Sequence, residues 1–108
     1  MSVLDNQGQW DASNCVVEGE RVVRYEKIAE PSRRPAEMHW VDYGMTALDR
    51  SEVARWTLAP PFDLAGPIAE LSRRGRLGAH VAPERFYEIG SPQGLAELEH
   101  LLQQRGTP

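Results

Sequence analysis

Val16-Val17-Glu18-Gly19-Glu20-Arg21-Val22-Val23-Arg24-Tyr25 is the stretch that settles the fold. Two runs rich in β-branched residues flank a short loop containing glycine, the pattern of an antiparallel hairpin, so a sheet is expected here. Upstream, Val3-Leu4 runs into Asp5-Asn6-Gln7-Gly8-Gln9, where Asn and Gly tolerate positive φ and mark a strand end entering a turn. Downstream, Ile28 to Ala36 carries Pro31, Arg33, Arg34 and Pro35, and the two prolines exclude both a helix interior and a central strand. Met38 to Leu48 reads as the next strand, interrupted by Gly44.

The second half of the chain alternates helix and strand signals. Asp49 to Trp56 predicts a short helix capped by Asp49 or Ser51, stopped before Pro60-Pro61. A better-marked helix follows, with Asp63 as cap, Leu64, Ile68 and Leu71 on one face, Glu70 four residues before Arg74, and Gly75 as the stop. Pro67 must then lie in its first turn, where a missing N–H costs nothing. Leu77–Val81 and Phe86–Ile89 predict two short strands joined by a turn at Pro83. Ser91-Pro92 opens a terminal helix whose apolar stripe is Leu95, Leu98, Leu101 and Leu102. The expected class is α/β or α+β, a mixed and mostly β sheet under a few helices in one domain.

Composition narrows the functions available. The 108 residues carry 12 basic and 16 acidic side chains, a net charge of −4, and an apolar fraction of 41%, enough for one modest core. Scattered basic residues in an acidic chain argue against a nucleic-acid partner, which needs clustered Lys and Arg. A lone cysteine, Cys15, excludes an internal disulfide framework, and with no basic-then-apolar leader the expected setting is the cytoplasm. The apolar runs fall far short of the roughly 20 residues that span a bilayer, so no membrane partner is expected.

Chemistry-bearing patterns are sparse. Neither G-x-G-x-x-G nor G-x-x-x-x-G-K-[ST] is present, and His39, His80 and His100 stand apart from any second ligand at metal-binding spacing. Cys15 has no activating neighbour in sequence and reads as a small buried side chain. Four constellations remain. Asn6 to Asn14 is a polar loop with Trp10 and Asp11 inside; Glu26-Lys27 ends the hairpin beside Arg33-Arg34 and offers a point charge to a phosphate. Trp40-Val41-Asp42-Tyr43-Gly44 sets a carboxylate between aromatics, suited to sugar hydroxyls, and Phe86-Tyr87-Glu88-Ile89-Gly90-Ser91-Pro92 sets one before a helix start, suited to Mg²⁺. Taken singly, each reads first as an ordinary solvated loop or strand end.

Their order is more specific than any one of them. Asn6…Trp10-Asp11…Ser13-Asn14, Tyr25-Glu26-Lys27, Val41-Asp42-Tyr43-Gly44 and Phe86-Tyr87-Glu88-Ile89-Gly90-Ser91-Pro92 together resemble the second half of the sugar-1-phosphate nucleotidyltransferases, the NDP-sugar pyrophosphorylases. The resemblance is closest to the bacterial branch serving mannose-, heptose- and related sugar-1-phosphates, and it runs from about Val3 to Leu102. It implies the second half of a Rossmann-like domain and a reaction in which a sugar-1-phosphate oxygen attacks the α-phosphorus of an NTP, Mg²⁺ offsets charge and pyrophosphate leaves. It also implies roles: Lys27 on the sugar phosphate, Glu26 on sugar hydroxyls, Asp42 and Gly44 lining the sugar pocket, and Glu88 at the second metal-binding position.

Two departures accompany the likeness. Glu88 stands where the family usually has Asp, and the glycine-rich G-x-G-[ST]-R loop, its lysine and the first metal aspartate are absent from these residues. On this reading residues 1–108 are a single incomplete domain that binds sugar-1-phosphate or nucleotide-sugar but does not turn over alone. It is expected to associate with a second copy or with a separate first-half chain, since missing strands leave apolar sheet uncovered. The alternative from another class is a non-catalytic binding or assembly module derived from the same fold; a third is an unrelated α+β domain whose motif order is accidental.

Overall fold

The computed structural model describes residues 1–106. Its order is β1 (Ser2–Asp5), β2 (Cys15–Glu18), β3 (Arg21–Tyr25), a 3₁₀ turn (Pro31–Arg33), β4 (Trp40–Asp42), α1 (Arg50–Ala54), α2 (Ala65–Arg73), β5 (His80–Val81) and α3 (Pro92–Arg105). The chain is mixed α/β, as its patterning predicts. β2 and β3 form the expected hairpin around Gly19, at φ 60°, with an irregularity in register between Val16 and Val17.

The five strands lie in the order β3-β2-β4-β1-β5, antiparallel except for the β1/β5 pair. The sheet is curled. The start of β3 bridges to Gly78, just ahead of the opposite edge strand β5, through Val22 N–H to Leu77 O (2.9 Å) and Ala79 N–H to Glu20 O (2.8 Å). Curling joins part of one free edge to the segment feeding the other, so those backbone groups are satisfied within the chain. Inside the curl sit Val3, Cys15, Val22 and Tyr25, covered by Ile68 and Leu71 of α2 and by Leu77.

Local chemistry explains the helix ends. The Asp63 carboxylate accepts from Ala65 N–H (2.8 Å), Pro67 lies in the first turn, and Gly75 at φ 68° closes α2. Arg76 N–H returns to Leu71 O and Gly75 N–H to Ser72 O, the paired bonds of a Schellman stop. Asp49 accepts from Ser51 N–H at the start of α1, and Ser91 Oγ accepts from Gly94 N–H at the start of α3.

Four expectations need correction. The Met38–Leu48 strand contracts to Trp40–Asp42, because Met38 N–H turns back to Pro35 O and the Asp42 carboxylate accepts from Gly44 N–H, bending the chain out of the ladder. Phe86–Ile89 is not a strand. Side chains hold that segment instead, with Phe86 edge-on to Tyr43 at 5.5 Å and Arg85 stacked on Trp10. Of Leu77–Val81 only His80–Val81 is strand, with Gly78 an isolated bridge. Leu64 is not on the buried face of α2, and Glu70 pairs with Arg73 (2.7 Å) while Arg74 reaches Glu52 (3.3 Å).

None of the residues of α3 is buried, and the Cα radius of gyration is 15.8 Å, against about 13 Å for a close-packed chain of this size. Truncation should therefore register on α2 and hardly on α3. Leu71→Ala is expected to cost about 2–5 kcal/mol, the range for emptying a packed core site, and Leu102→Ala within ~0.5 kcal/mol of nothing. Urea denaturation of both variants checks this; equal losses would contradict the packing described.

Candidate functional site

Two asparagines assemble the region that holds most of the candidate residues. Asn6, fully buried at the end of β1, donates from Nδ2 to Asp11 O (2.6 Å) and Ser13 Oγ (3.2 Å) and accepts Trp10 N–H (3.0 Å) on Oδ1. Its side chain thereby shapes the Trp10 loop from within. Asn14, at the far end of that loop, accepts Asp42 N–H on Oδ1 (3.0 Å) and Glu26 N–H on its carbonyl (2.9 Å), and donates its own N–H to Trp40 O (3.0 Å). Three segments that are far apart in sequence meet on one residue.

The fourth segment joins through Arg85. Its guanidinium lies 4.7 Å from the Trp10 ring centroid and 4.2 Å from that of Tyr87, and its Nη2 donates to Glu97 Oε2 at 2.6 Å. Arg85, with the Gln93 amide, holds the Glu97 carboxyl below its usual range. Stacking plus a charge-assisted bond clamps the Trp10 loop to the Glu88 segment and to α3.

A hollow of about 370 Å³ opens beside this junction, lined by Asp11, Ser13, Asn14, Lys27 and Arg34 among others. Two cations and two neutral hydrogen-bonding side chains converge on it with one carboxylate, a set able to hold a phosphate monoester. Lys27 Nζ is 3.6 Å from Asp63 in an exposed pair, and Arg34 Nε donates to Ile28 O (2.9 Å), shaping the loop it sits on. A hydrogen bond from Ala65 N–H, and then the charge of Lys27, lowers the Asp63 carboxyl.

The remaining candidates are distributed around it. Glu26 is bound by Arg24 (2.6 Å) and shares a second hollow with Lys27. The Asp42 carboxylate is turned onto Gly44 N–H (2.8 Å), and Gly44, at φ 89°, has open space where a side chain would stand. Glu88 lines a separate hollow of about 130 Å³ with Gln9, Trp10, Arg85 and Ser91, which shares no lining residue with the one at Lys27. The structure thus joins Lys27 to Glu26 and Asn14, sets Asp42 behind Asn14, and leaves Glu88 apart.

As a metal position Glu88 offers one carboxylate whose nearest side-chain partner, Ser91 Oγ, is 3.5 Å away. Among the described residues no group of three His, Cys, Asp or Glu side chains converges. Mg²⁺ needs only one or two protein carboxylates when substrate phosphates and water fill its shell, and Glu88 meets that lesser requirement.

Three contributors escaped the sequence reading as site residues: Asn14, Arg34 and Arg85. Gly94 is a fourth, since a Cβ there would run into the carbonyl oxygen of Glu88. Asn14 closes the first motif, Arg34 belongs to the pair noted beside Lys27 and Arg85 precedes the Phe86 motif, but nothing local signals the partners through which they act. Comparison with protein-family models, with curated proteins and with solved structures finds no match to this chain.

Burial, and secondarily the charge of Asp42, push the Cys15 thiol from its ordinary 9.0 up to about 12. A raised thiol favours the folded state fully below the ordinary value, and that contribution fades as pH climbs toward 12. At pH 8 the folded protein should hold only about one thiolate in ten thousand, so iodoacetamide should label it at least ~100-fold more slowly than the urea-unfolded chain. Equal rates would show an exposed thiol. Gly94→Ala, normally favourable in a helix by about 1 kcal/mol, should instead destabilise and shift the backbone resonances of Glu88. An unshifted Glu88 in a more stable variant would refute the close approach.

Proposed function

We propose that this chain is the sugar-phosphate side of a sugar-1-phosphate nucleotidyltransferase, the second half of a Rossmann-like domain working in the cytoplasm. The observation that carries the reading is the convergence on Asn14. The four motifs that resemble the family lie dispersed over some eighty residues; Asn14 binds the Glu26 and Asp42 segments, Arg85 and Phe86 reach Trp10 and Tyr43, and the first two motifs supply Asp11, Ser13, Asn14 and Lys27 to the cationic hollow. Lys27, with Arg34 beside it, binds the phosphate of a sugar-1-phosphate; Glu26, Asp42 and Gly44 face the sugar. The bound phosphate oxygen is then held for attack on the α-phosphorus of an NTP, with pyrophosphate leaving in line. Transfer of this kind depends on positioning and charge more than on covalent protein groups. Glu88 would hold Mg²⁺, which supplies charge neutralisation at the phosphates when bound.

No nucleotide loop of the G-x-G-[ST]-R type lies in these residues, so on this reading the NTP is held by residues other than these. One observation favours the alternative of a non-catalytic assembly module: α3 buries none of its leucines, and Met45 and Ile89 are 72% and 68% exposed. A titration separates the two. Glucose-1-phosphate and mannose-1-phosphate should shift amide resonances of residues 11–14 and 27–34, and Lys27→Ala should weaken binding roughly tenfold or more, the worth of a bond to a charged group. The chain alone should release no pyrophosphate from any NTP. Sugar phosphates that leave the spectrum unchanged would favour the assembly module, and turnover by a homogeneous sample would remove the half-site reading.

A further inference from the structure

A second hollow, of about 640 Å³, lies between α1 and α2 and the connection 57–63, and shares no lining residue with the one at Lys27 and Asn14. Its volume falls in the range of small-molecule sites. Trp56 and Phe62 meet edge to face at 6.3 Å along it, and Leu58 and Phe62 are 49% and 41% exposed although both are apolar. Aromatic and aliphatic surface left open in this way contributes favourable burial to whatever covers it.

The charges around the hollow decide what kind of ligand complements it. Six ionic side chains line it: Glu52, Arg55, Asp63, Glu70, Arg73 and Arg74. Glu52 holds Arg74 at 3.3 Å, Glu70 holds Arg73 at 2.7 Å, and Asp63 faces Lys27 from its rim at 3.6 Å. The Glu52 side chain is only 12% exposed, so its pair with Arg74 is a fixed part of the wall. Arg55 is left over. It enters no ion pair among the described residues, and it precedes Trp56 directly in the chain. An aromatic floor beside one uncompensated guanidinium is complementary to a flat apolar body bearing a single anionic group.

We propose that this hollow is a binding site for a small aromatic monoanion, with the ring against Trp56 and Phe62 and the carboxylate or phosphate on Arg55. With Glu52, Glu70 and Asp63 already paired, a cationic ligand finds no free acid and is repelled by Arg55. Because the site is independent of the sugar-phosphate reading, either one stands if the other fails.

Three probes of one shape test the assignment by NMR titration of the intact chain: indole-3-acetate, indole and tryptamine. Indole-3-acetate should shift the Trp56 indole N–H and the amides of residues 52–66; indole should bind the same place roughly tenfold more weakly, the value of a charge-assisted contact, and tryptamine more weakly still. Arg55→Gln should bring indole-3-acetate down to the level of indole, while Arg105→Gln, remote on α3, should leave it unchanged. Phe62→Ala should weaken both indole and indole-3-acetate. Equal affinity for the three probes, insensitivity to Arg55→Gln in a variant whose spectrum remains dispersed, or shifts centred outside residues 52–74 would each overturn the proposal. Shifts of residues 52–66 with protein concentration alone would assign the hollow to contact with a second copy, and overturn it too.

Discussion

The side chain of Asn6 has no water to fall back on. Fully buried at the end of β1, it must find every hydrogen bond inside the protein, and it does so on Trp10 N–H, Asp11 O and Ser13 Oγ. A buried amide left unpaired costs roughly 1–3 kcal/mol, so the Trp10 loop is held to the one path that satisfies it. That path delivers Asn14 to the mouth of β2, where it captures the amides of Asp42 and Glu26. The hydrophobic core under α2 supplies most of the favourable free energy of folding; these two amides decide which polar loops stand together above it.

The parts of this arrangement legible in sequence are those decided by neighbours in the chain. The hairpin at Gly19, the caps at Asp49 and Ser91 and the stop at Gly75 each depend on a few adjacent residues, and each is found where patterning places it. Phe86–Ile89 has the composition of a strand but no partner. Its neighbour β5 is only two residues long, and its side chains are engaged with Tyr43 and Arg85. A ladder requires an available edge, and no local propensity records whether one exists. Leu64 fails for a related reason: the helix begins one residue after it, so its side chain leaves the buried face.

The site divides along the same line. Lys27, Glu26, Asp42, Gly44 and Glu88 stand out in the sequence as candidates because charged and glycine residues at strand ends carry chemical meaning by type. Asn14, Arg34, Arg85 and Gly94 act through partners 6 to 75 positions away, from Arg34 on Ile28 O to Arg85 on Trp10, and sequence spacing does not report such contacts. Arg85 makes the point most plainly. Read as one more surface arginine it would be worth little, yet stacked between two aromatic rings and bonded to Glu97 it connects the Trp10 loop, the Glu88 segment and α3.

The Trp10 loop also partitions charge. Its first part, Gln9 and Trp10, borders the hollow of Glu88, and its second part, Asp11 to Asn14, borders that of Lys27 and Arg34. Glu88, whose one side-chain partner among the described residues is Ser91 Oγ at 3.5 Å, therefore lines one hollow and two cations line another. Had Lys27 and Glu88 shared one cavity they would have paired, each cancelling the charge the other needs to meet a substrate. Placing the two in separate hollows prevents that pairing, and on the reading proposed above it lets one end of the ligand meet cations while a divalent ion is held by the carboxylate. The course of the loop between the two hollows returns the burden to the buried amide of Asn6, whose bonds to Trp10 N–H, Asp11 O and Ser13 Oγ hold the loop in place.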